Sequence, residues 1–475
     1  SGFALGLAIS TYEWMSAATL IIVAVFIIPL YLKNKIYTMP QFLAKRYNDQ
    51  VSTIMAVFWL LVYVFVNLTS IIYLGALAIS SISPISFEWS IVGLSVFSII
   101  VTLGGMKVIG YTDVIQVLVL LIGGLVTTYL ALSLLADKFG FDGNILEALG
   151  VLRKEAPEHF HMIFDKSSPH YKELPGMSVL IGGMLINNLA YWGCNQYIVQ
   201  RALGADLKTA RSGILFAAFL KLLIPVIAVL PGITMYVLHQ NGMFQQEMAD
   251  AAGNIKPDHA YPTLMNLLPA GLKGVAFAAL TAAIVASLAG KANSISTIFT
   301  LDIYKKYLNK GASEKNMVIV GRLAIFTAMF ISIVFTWDDL LGIGGEGGFT
   351  FIQKYTGFIS PGVFAMFILG MFWKRTTAAA ALAGAVLTIP VSTVLKFLPV
   401  WRNGWFPDYP FLDRMTITFF VIVAMMVSMS LAKPNKPGDT HSIEVDNSMF
   451  NVSTGFIIGS IIICGILAAL YTVFW

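Results

Sequence analysis

The run Gly213–Val237, GILFAAFLKLLIPVIAVLPGITMYV, is long enough to cross a bilayer as a helix, and its one charge is the ammonium of Lys221. An ammonium in hydrocarbon costs at least about 2.5–3.5 kcal/mol on insertion scales, so an intramembrane lysine marks function by default and calls for a partner. Glu13 and Asp113 are further ionisable residues inside apolar runs. Glu13, with its opposite sign, is the natural candidate to share a polar cavity with Lys221.

The surrounding chain fits that setting. Of its 475 residues 57% are hydrophobic and 12% charged, and the mean hydropathy of +0.79 is well beyond that of a soluble globular chain. Hydropathy places about twelve spans at residues 9–33, 51–80, 87–104, 111–135, 176–200, 212–238, 272–300, 317–336, 349–373, 377–399, 414–432 and 450–475. Runs this long and this continuously apolar are helices, because barrel strands alternate polar and apolar positions. The expected class is therefore an all-α polytopic membrane protein.

The formal net charge of +5 does not point to nucleic acid, since the basic residues fall between apolar runs and never form a stripe. They orient the chain instead. Lys33, Lys35, Lys45 and Arg46, then Lys107, then Arg201, Lys208 and Arg211, then Lys305, Lys306, Lys310 and Lys315, then Lys374 and Arg375, then Lys433 and Lys436 occupy every second connection. The positive-inside rule makes those connections cytoplasmic, so both ends of the chain are expected on the extracellular or periplasmic side of the cell's inner (plasma) membrane. Cys194 and Cys464 lie in apolar runs and support neither a disulfide framework nor a thiolate metal site.

Helical spacing gathers the polar residues of the spans into faces. Tyr12 and Ser16 are one turn apart with Glu13 beside them, which carries polarity inward from what is otherwise an interfacial aromatic belt. On the fifth span Asn188, Tyr191 and Trp192 form a polar, aromatic stripe, with a second amide at Asn187. Asn67 and Thr69 on the second span read as interhelical glue. On the ninth, Phe349 and Gln353 are one turn apart, and Ser360, Pro361 and Gly362 then interrupt the helix, a break tolerated only where protein or water meets the freed backbone. Together Glu13, Ser16, Asn188, Lys221 and Gln353 offer donors and acceptors, while Tyr12, Tyr191 and Phe349 offer flat apolar faces. A hexose needs both, since its hydroxyls require partners once dehydrated and its CH face packs on aromatic rings.

The seventh span shows a different signal. Ala283, Ala286 and Ser287 share one face of a stretch rich in small residues, which permits close packing and offers hard oxygen ligands to an alkali cation. The glycines Gly342, Gly344 and Gly347 spell a dinucleotide fingerprint without the βαβ unit it requires, and read as a hinge. No Walker sequence is present, so no nucleotide is expected as partner or energy source. His159 and His161 read as part of a solvated outer loop rather than a metal site. No paired acid and base stands near a nucleophile, so an enzyme is not expected.

At the segments Ser10–Met15 (STYEWM), Asn67–Gly75 (NLTSIIYLG), Tyr111–Gln116 (YTDVIQ), Asn188–Arg201 (NLAYWGCNQYIVQR), Phe216–Lys221 (FAAFLK), Asn293–Tyr304 (NSISTIFTLDIY) and Phe351–Gly362 (FIQKYTGFISPG), in this order along nearly the whole chain, the sequence resembles the sodium/solute symporter family. The resemblance implies a leucine-transporter-like core of inverted five-helix repeats plus peripheral helices, and sodium-coupled symport of a hexose such as galactose or glucose, with sodium as coupling ion and no cofactor. It implies sugar ligands at Glu13, Ser16, Asn188, Lys221 and Gln353, an inner gate at Tyr191, outer-gate residues at Tyr12 and Phe349, sodium ligands at Ala283 and Ser287, and at Asp113 an acidic residue on the cation's way to the cytoplasm. On this pattern residues 1–136 are the remainder of the first repeat, 137–175 an extracellular loop, 176–373 the second repeat and 377–475 peripheral helices. Only four spans precede the expected start of the second repeat. The first core helix is therefore expected to be missing, the chain to be cut from a longer protein, and a fragment of this kind not to transport.

Two positions depart from the family pattern. Ala286 stands where a second hydroxyl ligand is expected, and Lys291 lies one turn beyond Ser287 on the same face. Lys291 is expected either to snorkel into a wet vestibule or to place its ammonium near the cation's position and weaken sodium dependence. A sodium-independent sugar uniporter, a sugar sensor and a symporter of another small polar solute remain as alternatives.

Overall fold

Helices begin where the sequence supplies caps. The side chains of Asn48, Ser86, Asp206, Ser313 and Ser453 each accept a hydrogen bond from a backbone N–H in the first turn that follows, satisfying a donor the helix itself leaves open. A computed structural model describes residues 2–475 apart from 105, 251–252, 347, 402–405 and 436–442, and the backbone alone for 106–109, 111–112, 345–346 and 348–350.

The principal helices are α1 (Gly2–Lys33), α2 (Asp49–Ile82), α3 (Phe87–Leu103), α4 (Met106–Lys138), α5 (Gly183–Cys194), α6 (Gln196–Ala202), α7 (Leu207–Gln240), α8 (Ala270–Leu308), α9 (Glu314–Trp337), α10 (Gly348–Thr356), α11 (Ser360–Phe372), α12 (Ala378–Trp401), α13 (Phe411–Ala432) and α14 (Thr454–Val473). Among the described residues no β-strand forms, only an isolated bridge between Ala249 and Ile255. The protein is all-α, and among the described residues nine helices are long and apolar enough to cross a membrane. Their outer faces are apolar where a soluble protein would be polar: Phe330 is 67% exposed, Ile461 65% and Ile122 61%. Such a surface is stable only against lipid.

The twelve expected spans differ from the structure at two places. The fifth, read as continuous over 176–200, is broken at Gly182 and again at Asn195, whose backbone is extended. The ninth divides into α10 and α11 before Ser360. The break at Asn195 is supported. Asn195 Oδ1 accepts from the Tyr63 hydroxyl at 2.6 Å and from the Tyr197 amide at 3.1 Å, while the freed carbonyl of Gly193 accepts from the Tyr31 hydroxyl at 2.7 Å. Gly183 is needed for another reason, since a Cβ there would stand 2.1 Å from the carbonyl oxygen of Leu412 on α13.

Packing then sets the frame. α1 lies along α7, α5 along α11, and α8 against α3 and α4. Residues Val62–Leu68 of α2 widen into a π-helical stretch, a feature common at functional sites, and Asn67 and Thr69 there bond back to the carbonyls of Val62 and Val64. Two buried guanidinium groups tie the loops to this frame. Arg46 donates to the carbonyls of Gly370, Trp373, Lys374 and Thr376, and Arg211 to those of Ala24, Val25, Met449 and Asn451.

Candidate functional site

A cavity of about 310 Å³ opens among α1, α2, α5, α6, α7, α8, α10 and α11. Its size is at the small end of ligand pockets, suited to one small solute. Glu13 and Ser16 from α1, Asn188 from α5, Lys221 from α7 and Gln353 from α10 all line it, with Tyr12, Tyr191 and Ser287.

Lys221 Nζ sits 2.5 Å from Glu13 Oε2, each side chain about a quarter exposed at 23% and 27%. The pair satisfies both charges within the cavity wall. The same ammonium lies 5.0 Å from the ring centre of Trp192, whose indole N–H donates to Asn188 Oδ1 at 3.3 Å. Ser16 donates to that oxygen as well, at 2.6 Å, and the Asn188 amide donates to the Met184 carbonyl at 3.1 Å. A continuous polar wall results, which fixes rotamers before any ligand arrives.

A second cluster is less complete. Asn187 Nδ2 donates to Gln353 Oε1 at 2.7 Å, while Asn187 Oδ1 and Thr356 Oγ1 are buried without a partner among the described residues. Unpaired buried polar atoms are costly, and at a cavity wall they are where a ligand's hydroxyls gain most.

The other end of the cavity is aromatic and basic. Lys291 of α8 is 3% exposed, and its ammonium donates to Asn67 Oδ1 at 2.7 Å. The rings of Tyr197, Tyr63 and Tyr191 surround it, with centres 4.5, 5.1 and 5.7 Å away. This corrects one expectation. Lys291 does not snorkel to water, because three rings and an amide enclose it. Asn67 does join two helices as expected, and its partner is that ammonium on α8.

Ser287 lines the cavity, whereas Ala283 and Ala286 do not. Asp113 stands apart from it and pairs with Arg201 at 3.0 Å. The Phe349 side chain lies outside the described residues, as does Gly347 of the expected hinge. His159 is not simply solvated: it stacks on Tyr236 at 4.0 Å and its Nε2 meets the Phe3 carbonyl at 3.1 Å. Asn187, Tyr63, Tyr197 and Thr356 line the cavity and were not singled out as ligands from sequence. Of these only Asn187, next to Asn188, carried a visible signal.

Comparison with known proteins agrees with this architecture. The family model for the sodium:solute symporter family matches residues 1–388. The chain is 44% identical to the sodium/glucose cotransporter of Vibrio parahaemolyticus over 100% of its own length and 86% of that protein's. It is 33% identical to the human sodium/myo-inositol cotransporter 2, over 93% of this chain and 69% of that protein. Its fold matches a sodium-coupled sialic acid symporter, solved in a substrate-bound outward-open state, with a TM-score of 0.74 at 23% identity over 92% of this chain and 86% of that one. The all-α, leucine-transporter-like class expected from the sequence is the class of that structure. The chain belongs to the sodium:solute symporter family.

Proposed function

We propose that the protein carries a hexose such as glucose or galactose across the membrane together with sodium, by alternating access around the cavity. One observation carries this reading: Glu13, Ser16, Asn188, Lys221 and Gln353, from α1, α5, α7 and α10, meet in one chamber of about 310 Å³. At the wall that holds Ser16 and Asn188 the charges of Lys221 and Glu13 cancel, and a neutral polyol suits that wall better than a metabolic anion, which would need a cationic clamp there. The chamber's amides and hydroxyls take the sugar's hydroxyls, and Tyr191 and Trp192, edge to face at 5.2 Å, offer a surface to its CH groups.

In this scheme Tyr191 gates the inner side, and Tyr12 and Phe349 the outer. Sodium is held at Ser287 and the carbonyl of Ala283, with Ala286 withholding a further hydroxyl, and leaves past Asp113. In the same scheme the connections after α1 and α6 face the cytoplasm and residues 2 and 475 the outer side of the plasma membrane, an orientation the basic loops support.

The energetics suffice. One positive charge entering through about 100 mV releases roughly 2.3 kcal/mol. A tenfold sodium gradient adds about 1.4 kcal/mol, which together support roughly 500-fold accumulation of sugar at one to one. Coupling then requires only that sodium and sugar each favour the other's binding to the outward state.

The test is uptake of labelled galactose and glucose by the complete protein in proteoliposomes. The expected result is uptake that depends on an inward sodium gradient and, at low sugar, falls about tenfold or more in Gln353→Ala and Lys221→Ala. Uptake unaffected by either substitution overturns the proposal.

A further inference from the structure

Two lysines reach this cavity, and the sugar reading uses only Lys221. Lys291 makes no ion pair among the described residues. Its ammonium is held by one neutral amide and three aromatic faces, and the like charge of Arg201 stands 4.8 Å from the centre of the Tyr197 ring that Lys291 also meets. Such a cage stabilises a cation by ring quadrupoles and one dipole, without neutralising it. In its ammonium form Lys291 puts an uncompensated positive charge inside the bundle, 3% exposed, on the wall of the transport cavity.

Its position relative to Ser287 gives that charge a role. Ser287 and Lys291 are one turn apart on α8, and both line the cavity. Cα–Cβ bonds in a helix tilt towards its N-terminus, so the lysine stem leans back over the turn that carries Ser287. Its flexible stem and rotatable donors let the ammonium reach the same oxygen atoms that would hold a sodium ion. Ammonium and sodium carry the same charge and both take hard oxygen ligands. Within one helical turn, in a medium of low dielectric, they repel strongly and do not share the site.

We propose that Lys291 is an internal competitor of sodium: its ammonium exchanges between the cage of Tyr63, Tyr191, Tyr197 and Asn67 and the oxygen ligands around Ser287. This rests on the sodium-coupled reading above. When the ammonium is in the cage the site is open to sodium, and when it swings to Ser287 the carrier holds a built-in cation in sodium's place. The protein therefore binds sodium weakly and moves some sugar without it. Lys291 is a positioning residue of the transport cycle, and Asn67 sets its resting place.

The experiment compares wild type, Lys291→Met and Asn67→Ala in the complete protein. Sodium is titrated against sugar uptake in proteoliposomes and, separately, against melting temperature in detergent without sugar. Lys291→Met is expected to lower the half-saturating sodium about tenfold or more and to remove the uptake that wild type retains in choline. Asn67→Ala, which weakens the cage, is expected to shift the half-saturating sodium the opposite way, at least threefold upward. A merely structural lysine gives no such opposed pair, and if Lys291→Met fails to fold the Asn67→Ala shift decides alone. Equal half-saturating sodium in all folded variants, with sodium dependence intact, overturns the competitor and leaves the symport reading standing. No sodium dependence in any of them overturns both.

Discussion

The two ends of the cavity treat a lysine differently. At one end Lys221 meets a carboxylate 2.5 Å away and lies within a wall of closed hydrogen bonds through Trp192, Asn188 and Ser16. At the other, Lys291 meets an amide and aromatic rings, with no carboxylate paired to it among the described residues. A compensated charge is fixed and serves to orient a ligand. An uncompensated one stays responsive to any other cation that enters, so the same residue type builds a sugar wall at one end and a cation balance at the other.

Breaking the compensated end is expected to have the largest effect. Glu13→Gln leaves Lys221 without its carboxylate, and breaking a pair of this kind costs about 3 kcal/mol, the low end of the range for buried pairs because both side chains are partly exposed. Melting temperature should fall accordingly and initial uptake by roughly a hundredfold. The double variant Glu13→Gln/Lys221→Met is expected to regain most of the melting temperature but not the uptake, which separates stability from ligand binding. Equal uptake in the double variant and wild type contradicts a binding role for the pair.

A somewhat smaller loss is expected at the joint between the two ends. Asn195 bridges Tyr63 and the Tyr197 amide at the break between α5 and α6, so Asn195→Ala removes two hydrogen bonds and should cost about 2 kcal/mol in thermal stability. It should also disturb the Lys291 cage, seen as a changed sodium requirement, while Gln353→Ala leaves that requirement alone. Gln353→Ala itself is expected to weaken sugar affinity about tenfold, the loss of about one hydrogen bond to a ligand together with the freed Asn187 amide. Equilibrium binding of labelled sugar measures it.

The smallest effect lies outside the membrane, where burial lowers the pKa of the His159 imidazole from its ordinary 6.5 as it packs on Tyr236 and Phe3. The native loop binds that proton less readily than the unfolded chain. Its stabilisation is therefore intact above about pH 6.5 and is lost progressively as pH falls below it. Melting at pH 5 should fall short of that at pH 7.5, and His159→Phe, which keeps the stacking, should narrow the gap. An unchanged gap assigns the acid sensitivity elsewhere.

Much of this was legible in the sequence because a bilayer makes simple demands. Apolar runs had to be helices, and Glu13 and Lys221, opposite charges in separate runs, had to find one another. What stayed hidden depends on neighbours. Helical spacing says which residues share a face of one helix, not which face of another helix they meet, so Asn67 read as interhelical glue with its partner, Lys291, unnamed. The break at Asn195 was hidden for a similar reason: an amide within a span breaks a helix only when a partner such as Tyr63 rewards the break. Ala283 and Ala286 fit an oxygen-ligand face by spacing alone, yet only Ser287 reaches the cavity wall.

The most direct test of the central claim, that one mid-membrane chamber built by α1, α5, α7 and α10 binds the sugar, is equilibrium binding of labelled galactose to the complete protein in detergent, with and without sodium. Saturable binding that sodium strengthens, and that falls tenfold or more in both Gln353→Ala and Lys221→Met, is the predicted result. Binding as tight in both variants as in wild type would place the sugar elsewhere and contradict the account.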